Sequence, residues 1–298
     1  MNKSIFILLL CVSFLALGGI FVKLSPLDPI NTAFYRVLFA LPIFYFLCIF
    51  KENKFKKYKN KLSSKKKLLC LLSGVFLSLD LVLWNISFSY TTVVNANLLS
   101  NLVALTVVPF SYFLFKEKPM NSFYLSAPIM IIGVFMLFSE KNQLGSNHFF
   151  GNFLAFATSF FYGLFLLTIY KLRSDIDFMM IMYYSCIGSI LALIPFVFYE
   201  GWQFPTDLQS LYPLIGLAIL SQVLGQGGMS YILGHVNAIL ASLVILSQPV
   251  ISATYAFLLF NERLTPFQMV AICIILVGLF LGKLDNSGLK LFLKKLVR

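Results

Sequence analysis

The chain has 298 residues, of which 59% are hydrophobic and 11% are charged, and its formal net charge is +12. A soluble domain typically has about 25% charged residues and covers its surface with polar groups, so this composition excludes a soluble enzyme, a disordered protein and a disulfide-rich secreted scaffold. A membrane span takes about 20 residues, which leaves room for about ten spans joined by short loops.

The apolar runs predict an all-α integral membrane protein with ten transmembrane helices. In chain order the predicted spans are Ile5–Val22, Ile30–Phe50, Leu68–Ser87, Val93–Phe115, Ser122–Phe138, Asn152–Tyr170, Phe178–Phe198, Leu211–Leu233, Asn237–Phe260 and Pro266–Gly282. These runs lack the ten-residue alternation of a membrane β-strand. The first run follows Lys3 as a signal peptide would, but it has no clear cleavage site, so we expect it to be retained as a helix.

The positive charge is concentrated in a loop at residues 51–67, where nine lysines face a single acidic residue, Glu52. Lysine and arginine are enriched in cytoplasmic loops, so this loop is predicted to lie inside the cell. Alternating the spans from there places most other basic residues inside, including those of a basic tail at 285–298. The sequence therefore predicts a multi-pass protein of the inner (plasma) membrane with both termini in the cytoplasm. No nucleic-acid-binding motif accompanies the charge, so we expect no nucleic-acid partner.

The cysteines and histidines predict neither a metal site nor a cofactor. The five cysteines lie far apart inside apolar runs without CxxC spacing, and the chain has two histidines. The sequence also has no GxSxG, HExxH or P-loop motif, which argues against an intramembrane enzyme and against an ATP-driven pump.

The two halves of the chain resemble each other. A shift of 145 residues superposes them without a gap, and it pairs Glu117 with Glu262 and Gly133 with Gly278. The predicted repeats are residues 1–141 and 149–284, with five spans each. Because five is odd, the second repeat enters the membrane with the opposite polarity, an architecture known from secondary transporters.

A resemblance to a known family rests on short motifs in both halves. In the first half these are Gly18–Gly19 with Lys23, Pro29, Arg36, the segment Tyr90-Thr-Thr-Val-Val-Asn-Ala-Asn-Leu-Leu, Glu117 and Gly133; in the second half they are Gly234-His-Val-Asn-Ala-Ile-Leu-Ala-Ser-Leu, Gln248-Pro249, Asn261-Glu-Arg-Leu-Thr and Gly278. With these motifs the chain resembles the EamA family of the drug/metabolite transporter superfamily. The likeness implies a ten-helix fold, alternating access and small-metabolite substrates. The first half departs from the second, since Ala104 is the equivalent of Pro249 and a proline occurs at Pro109 instead.

Two charges lie well inside the predicted spans, Arg36 and Asp80. Charged side chains in hydrocarbon are costly and usually face protein or water, so we expect the two residues to be neighbours in the outer half of the bundle. They can form a fixed structural ion pair, or they can serve as a gate or as a site for a zwitterionic substrate or a proton. A third reading is that Arg36 extends to the outer headgroups.

Further polar and aromatic side chains recur at helical spacing and predict a polar cavity between the helices. The candidate lining residues are Arg36, Asp80, Trp84, Asn97, Asn101, Tyr162, Gln222, Gln226, Gln248 and Tyr255. Individually, such amides can also act as interhelical hydrogen-bond contacts without lining any cavity. Glu117 and Glu262, each at the end of a span, can cap the next helix or take part in gating.

These features predict a secondary transporter with a small-molecule substrate, working in the lipid bilayer. An amide-rich, aromatic cavity with one possible ion pair suits an amino-acid-like or other polar, zwitterionic metabolite. Export is the more usual direction in families of this likeness, although an importer or exchanger would have the same fold. A non-transporting scaffold or receptor is the alternative from a different class. Proton coupling through Asp80, and a homodimer, remain open at this stage.

Overall fold

The computed structural model describes residues 3–50, 63–103, 109–110, 112–113, 121–139, 148–173, 176–232, 248–261 and 265–282, and the regular elements in these ranges are helical. The helices are α1 (Lys3–Leu24), α2 (Pro29–Phe50), α3 (Ser64–Ser87), α4 (Val93–Ser100), α5 (Asn121–Ser139), α6 (His148–Arg173), α7 (Phe178–Glu200), α8 (Leu208–Gly216), a π-helical segment (Leu217–Gly227), α9 (Gly228–Ile232), α10 (Gln248–Phe260) and α11 (Pro266–Gly282).

Five helices among the described residues are long and apolar enough to cross a membrane. They are Pro29–Phe50, Ser64–Ser87, His148–Arg173, Phe178–Glu200 and Leu208–Tyr231, and shorter apolar helices accompany them. The all-helical membrane architecture is thus confirmed. The count of ten spans stays a prediction, because parts of the predicted fourth and ninth spans lie outside the described residues, as do residues 51–62 of the basic loop and the tail at 285–298. The last residues of the predicted loop, 64–67, form the start of α3.

Helix α3 lies against both α6 and α7. At the crossing, a Cβ added to Gly74 would collide with the backbone of Ser185, and one added to Gly188 would collide with the backbone of Leu71. The hydroxyl of Ser189 donates to the carbonyl oxygen of Gly74 at 2.7 Å. Small residues that let two backbones approach, with a hydrogen bond between them, are a typical means of helix association in lipid.

Helices α5 and α11 pack against each other through the two glycines that the repeat pairs. A Cβ on Gly133 would lie 2.6 Å from Ile275, and a Cβ on Gly278 would lie 2.6 Å from Met130. Each glycine thus faces a large side chain of the other helix. The interpretation of these glycines as close-packing positions agrees with this contact.

The helix from Leu208 to Ile232 is π-helical over its central eleven residues, Leu217–Gly227. A π-helix is rare, and where it occurs it often lies at a functional site. Two glycines let this helix approach α1, since Gly225 faces Leu15 and Gly228 faces Cys11. The π-helical segment therefore packs closely against α1 and α2 and presents a polar face.

A hydrogen-bonded contact, which we call the interhalf network, joins residues 28–35 to residues 200–203. Glu200 accepts from the backbone amides of Ile30 (3.2 Å) and Asn31 (2.9 Å) and from Nδ2 of Asn31 (2.8 Å). The amide of Gln203 donates to Asn31 Oδ1 at 3.1 Å, and Tyr35 donates to the carbonyl of Gln203 at 3.0 Å. The start of α2 is therefore capped by a carboxylate about 170 positions away in the chain.

Candidate functional site

One cavity lies where α1, α2, α3, α4, α6, the π-helical segment and α10 meet. Its lining consists of Leu15, Arg36, Asp80, Leu81, Trp84, Asn97, Ser100, Asn101, Tyr162, Ser221, Gln226 and Gln248. The space open to the centre of a water molecule is about 70 Å³. One water needs roughly 10–15 Å³ by that measure, so the cavity has room for several waters or for part of a small metabolite.

The cavity brings together eight of the ten lining residues that the sequence indicates. They are Arg36, Asp80, Trp84, Asn97, Asn101, Tyr162, Gln226 and Gln248. Gln222 is not among the lining residues, but its Oε1 accepts a hydrogen bond from Nε of the lining residue Arg36, whereas Tyr255 packs against the apolar core. Glu117 and Glu262 lie outside the described residues, so their proposed roles stay predictions.

Arg36 and Asp80 face the same cavity, but each has a partner of its own. The Nε of Arg36 donates to Oε1 of Gln222 at 2.9 Å, and the guanidinium lies 5.6 Å from the centre of the Trp84 ring. Oδ1 of Asp80 accepts from the hydroxyl of Thr158 at 2.6 Å. Each charge is thus held by neutral side chains, Arg36 by Gln222 and the Trp84 ring and Asp80 by Thr158.

The polar side chains of α4 connect the cavity to α10. Nδ2 of Asn97 donates to the carbonyl of Val93 at 2.9 Å and to the hydroxyl of Ser252 at 2.8 Å. Nδ2 of Asn101 donates to the carbonyl of Asn97 at 2.7 Å, where the helix ends. These bonds fix the amide of Asn97 across the gap between the first and the second half.

Tyr162 and Gln226 also line the cavity and contact each other. Nε2 of Gln226 lies 3.3 Å from the Tyr162 hydroxyl, and that hydroxyl lies 3.4 Å from Oε1 of the same glutamine. The Tyr162 ring stacks on Phe165, with 5.9 Å between the ring centres. One face of this pair is therefore apolar and the other is a hydrogen-bonding surface, which suits a ligand with both characters.

Thr158 and Ser221 are site residues that the sequence analysis missed. Thr158 lies four residues before Tyr162 on α6, so helical spacing from that tyrosine would have found it. Ser221 lies five residues before Gln226, a spacing that does not place two residues on the same face of an α-helix. In the π-helical segment, however, Ser221 and Gln226 line the cavity while Gln222 contacts Arg36 beside it.

The family follows from a comparison with family models. The model of the EamA-like transporter family matches residues 2–139 and, separately, residues 149–282. The chain belongs to the EamA-like transporter family. It is a multi-pass membrane protein of a family of transporters rather than of enzymes.

Similar proteins agree with this assignment. A protein of Archaeoglobus fulgidus described as an uncharacterized transporter is 27% identical over 286 residues, covering 92% of this chain and 96% of its own length. One from Methanothermobacter thermautotrophicus, with the same description, is 25% identical over 279 residues and covers 87% and 79%. A crystal structure with 15% identity covers 99% of this chain and 98% of its own, with a TM-score of 0.64, so it shares the fold.

Proposed function

We propose that this EamA-family member is a secondary transporter that moves a small, zwitterionic, amino-acid-like metabolite across the plasma membrane by alternating access, with export as its direction. The observation that carries the proposal is the polar cavity, which is lined by one cation, one anion and several amides.

The charge of the lining favours a ligand with no net charge. Arg36 and Asp80 are the charged residues among the lining, and both are nearly buried, with exposed fractions of 5% and 9%. In a site of low dielectric constant an uncompensated charge is costly, so binding of a net cation or anion would leave one charge unbalanced. A zwitterion offers an opposite charge to each side chain and leaves the total unchanged.

Elements of both halves surround the cavity, which is what alternating access by two inverted repeats requires. Arg36, Asp80 and Asn97 come from the first half, and Tyr162, Gln226 and Gln248 come from the second. The two separate matches to the family model support two repeats. In the proposed cycle the repeats exchange roles and open the cavity to one side at a time, with both termini in the cytoplasm.

The energy source is a gradient. One charge that crosses 100 mV supplies about 2.3 kcal/mol, which corresponds to roughly fortyfold accumulation. Asp80 is the acidic residue of the cavity lining and therefore the candidate for a proton carrier if transport is coupled to protons. Facilitated diffusion or exchange would leave Asp80 with a binding role alone.

A thermal-shift screen followed by flux tests the proposal. Purified protein is screened against a panel of metabolites, and each compound that stabilises it is tested for uptake into proteoliposomes. We expect zwitterionic compounds to stabilise the protein, and the effect to disappear in Asp80→Asn and Gln248→Ala. The control is Gln209→Ala, which removes an exposed glutamine on α8. A compound that binds equally well to all variants would contradict the site, and binding without flux would favour a receptor.

Labelling tests the inverted topology independently of any substrate. Cysteines introduced by Glu117→Cys and Glu262→Cys in a background without other cysteines are treated with a membrane-impermeant maleimide on intact cells. We expect Glu262→Cys to react from outside and Glu117→Cys only after permeabilisation. Labelling of both from the same side would overturn the two-repeat arrangement.

A further inference from the structure

Several buried polar atoms at the cavity have no hydrogen-bond partner. Nη1 of Arg36, Nε2 of Gln222, Oγ of Ser221 and Oδ1 of Asn97 are in this state, and all four residues are at least 95% buried. Leaving such an atom unsatisfied costs about 1–3 kcal/mol, and in native proteins the cause is commonly a water, an ion or a ligand that the site is built to receive.

Three of these four groups are donors or can act as donors: Arg36 and Ser221 line the cavity, and Gln222 is bonded to Arg36. The bond from Arg36 Nε to Gln222 Oε1 fixes the two side chains against each other and commits the amide oxygen, so Nε2 of Gln222 remains for another partner. Ser221 precedes Gln222 in the π-helical segment and lines the cavity together with Arg36. Together, these three residues therefore offer N–H and O–H groups and one positive charge.

We propose that Arg36, Gln222 and Ser221 form a carboxylate-binding subsite, and that the transported substrate is held by a carboxylate group at this position. The inference rests on the proposed transport function and deepens it, since it assigns one end of the ligand to one wall of the cavity. A carboxylate has two oxygens with several lone pairs, which satisfy a guanidinium N–H and two neutral donors at once.

A carboxylate fits this subsite better than a phosphate does. Asp80 lines the same cavity and contributes a negative charge, so a dianion beside Arg36 would leave an excess of negative charge in a buried site. A group with a single negative charge balances the single positive charge of Arg36. The opposite end of the ligand, if it is an ammonium group, then lies towards Asp80, whose Oδ1 is fixed by Thr158.

Trp84 provides a direct reporter of binding, because the Arg36 guanidinium lies 5.6 Å from its ring centre. The chain has two tryptophans, and in a Trp202→Phe background the emission comes from Trp84 alone. The detergent-solubilised full chain is titrated with sodium acetate against sodium chloride at constant ionic strength. Phosphate and methylammonium chloride are titrated in parallel. We expect a saturable change in Trp84 emission at high acetate concentration, because acetate fills the subsite but leaves Asp80 without a counter-charge. We expect a weaker change, or none, with the other two.

Two variants of Gln222 test where the acetate binds. Gln222→Glu places a carboxylate in the subsite, and we expect it to abolish the acetate response. Gln222→Met removes the Nε2 donor, and also the Oε1 acceptor of Arg36, without adding charge. We expect at least tenfold weaker binding, because one hydrogen bond to a charged group contributes about 1.5–3 kcal/mol. The control is Gln209→Glu, which makes the same chemical change at an exposed position on α8 and should leave the titration unchanged.

Each outcome bears on the subsite. An acetate response that survives Gln222→Glu, a response to methylammonium but not to acetate, or tighter binding of phosphate than of acetate would overturn it. Failure of the proposed transport function looks different, because equilibrium binding in detergent requires no translocation. Acetate binding with no flux in proteoliposomes would contradict the transport proposal and leave the subsite standing. Flux with no acetate binding would contradict the subsite and leave the transport proposal standing.

Discussion

Removing the Glu200 carboxylate should loosen the first turn of α2 without loosening the rest of the bundle. Glu200 accepts from the backbone amides of Ile30 and Asn31 at 3.2 and 2.9 Å, and these amides have no intrahelical acceptor because they belong to the first turn. The carboxylate also lies at the positive end of the α2 helix dipole. Glu200→Ala removes both interactions, and Glu200→Gln removes the charge while retaining an acceptor oxygen.

The size of the effect follows from these contacts. A hydrogen bond to a charged group contributes about 1.5–3 kcal/mol, and a carboxylate at a helix N-terminus adds about 0.3–1 kcal/mol. Because Glu200 is half-buried, water replaces part of the loss, and we expect a net cost of about 2–3 kcal/mol for local opening in Glu200→Ala. At about 1.4 kcal/mol per factor of ten, the Ile30 and Asn31 amides should exchange roughly 30- to 150-fold faster. Glu200→Gln should give a smaller increase.

Hydrogen–deuterium exchange by mass spectrometry, on peptides that cover the start of α2, measures this directly. The start of α7 is the internal control, because its cap is local: the amide of Met179 donates to Oδ1 of Asp177 at 3.1 Å. We expect exchange there to be unchanged. Equal acceleration at both helix starts would mean that Glu200 acts through global stability, and unchanged exchange at Asn31 would mean that the carboxylate does not cap α2.

Three further predictions concern other parts of the bundle. Gly74→Ala should lower the free energy of unfolding in mixed micelles by about 1–3 kcal/mol, because the added Cβ collides with the α7 backbone. An unchanged free energy of unfolding would mean that α3 and α7 do not approach each other this closely. Thr158→Val should lower the free energy of unfolding by about 1.5–3 kcal/mol, because it removes the 2.6 Å hydrogen bond to the Asp80 carboxylate. The loss should be much smaller in an Asp80→Asn background, and equal losses in both backgrounds would exclude that bond as the cause. The pKa of Asp207 lies below its ordinary value of 3.8 because the hydroxyl and the amide of Ser210 donate to its carboxylate. The carboxylate therefore stabilises the start of α8 above pH 3.8, and this stabilisation is lost as the pH falls through the lowered pKa. Amide exchange at the start of α8, corrected for intrinsic rates, should rise in that acidic range in the wild-type protein but not in Asp207→Asn.

The cavity lining was largely predictable because polar residues stand out in apolar helices. Burying Arg36, Asp80 or Asn97 in lipid is costly, so a sequence that keeps them within spans indicates a protein-lined polar space. Gln226 lines the cavity together with residues of the first half. Spacing failed for Tyr255, because seven residues correspond to about 10.5 Å along a helix, so a residue that far from Gln248 has left the level of the cavity.

The partners of the lining residues were not predictable, because they depend on how the helices are rotated and packed. Gln222 was expected in the lining on the basis of α-helical spacing, but the helix is π-helical there and directs this side chain to Arg36. The interhalf network was missed entirely. In the sequence, Glu200 and Gln203 read as polar residues at the end of a span, and nothing local indicates that they contact residues 28–35.

The interhalf network and the cavity share helix α2, and this links the closure of one end of the bundle to the charge in its middle. Asn31 and Arg36 are five residues apart, about 7.5 Å along the helix axis. Tyr35, next to Arg36, donates to the carbonyl of Gln203, so the network reaches to within one residue of the guanidinium. Opening of the first turn alone would break the bonds to Glu200 and leave Arg36 in place. A displacement of α2 as a rigid body would instead break those bonds and also move Arg36 relative to Gln222. The two motions are distinguishable, because only the second changes the surroundings of Trp84, which the Arg36 guanidinium contacts.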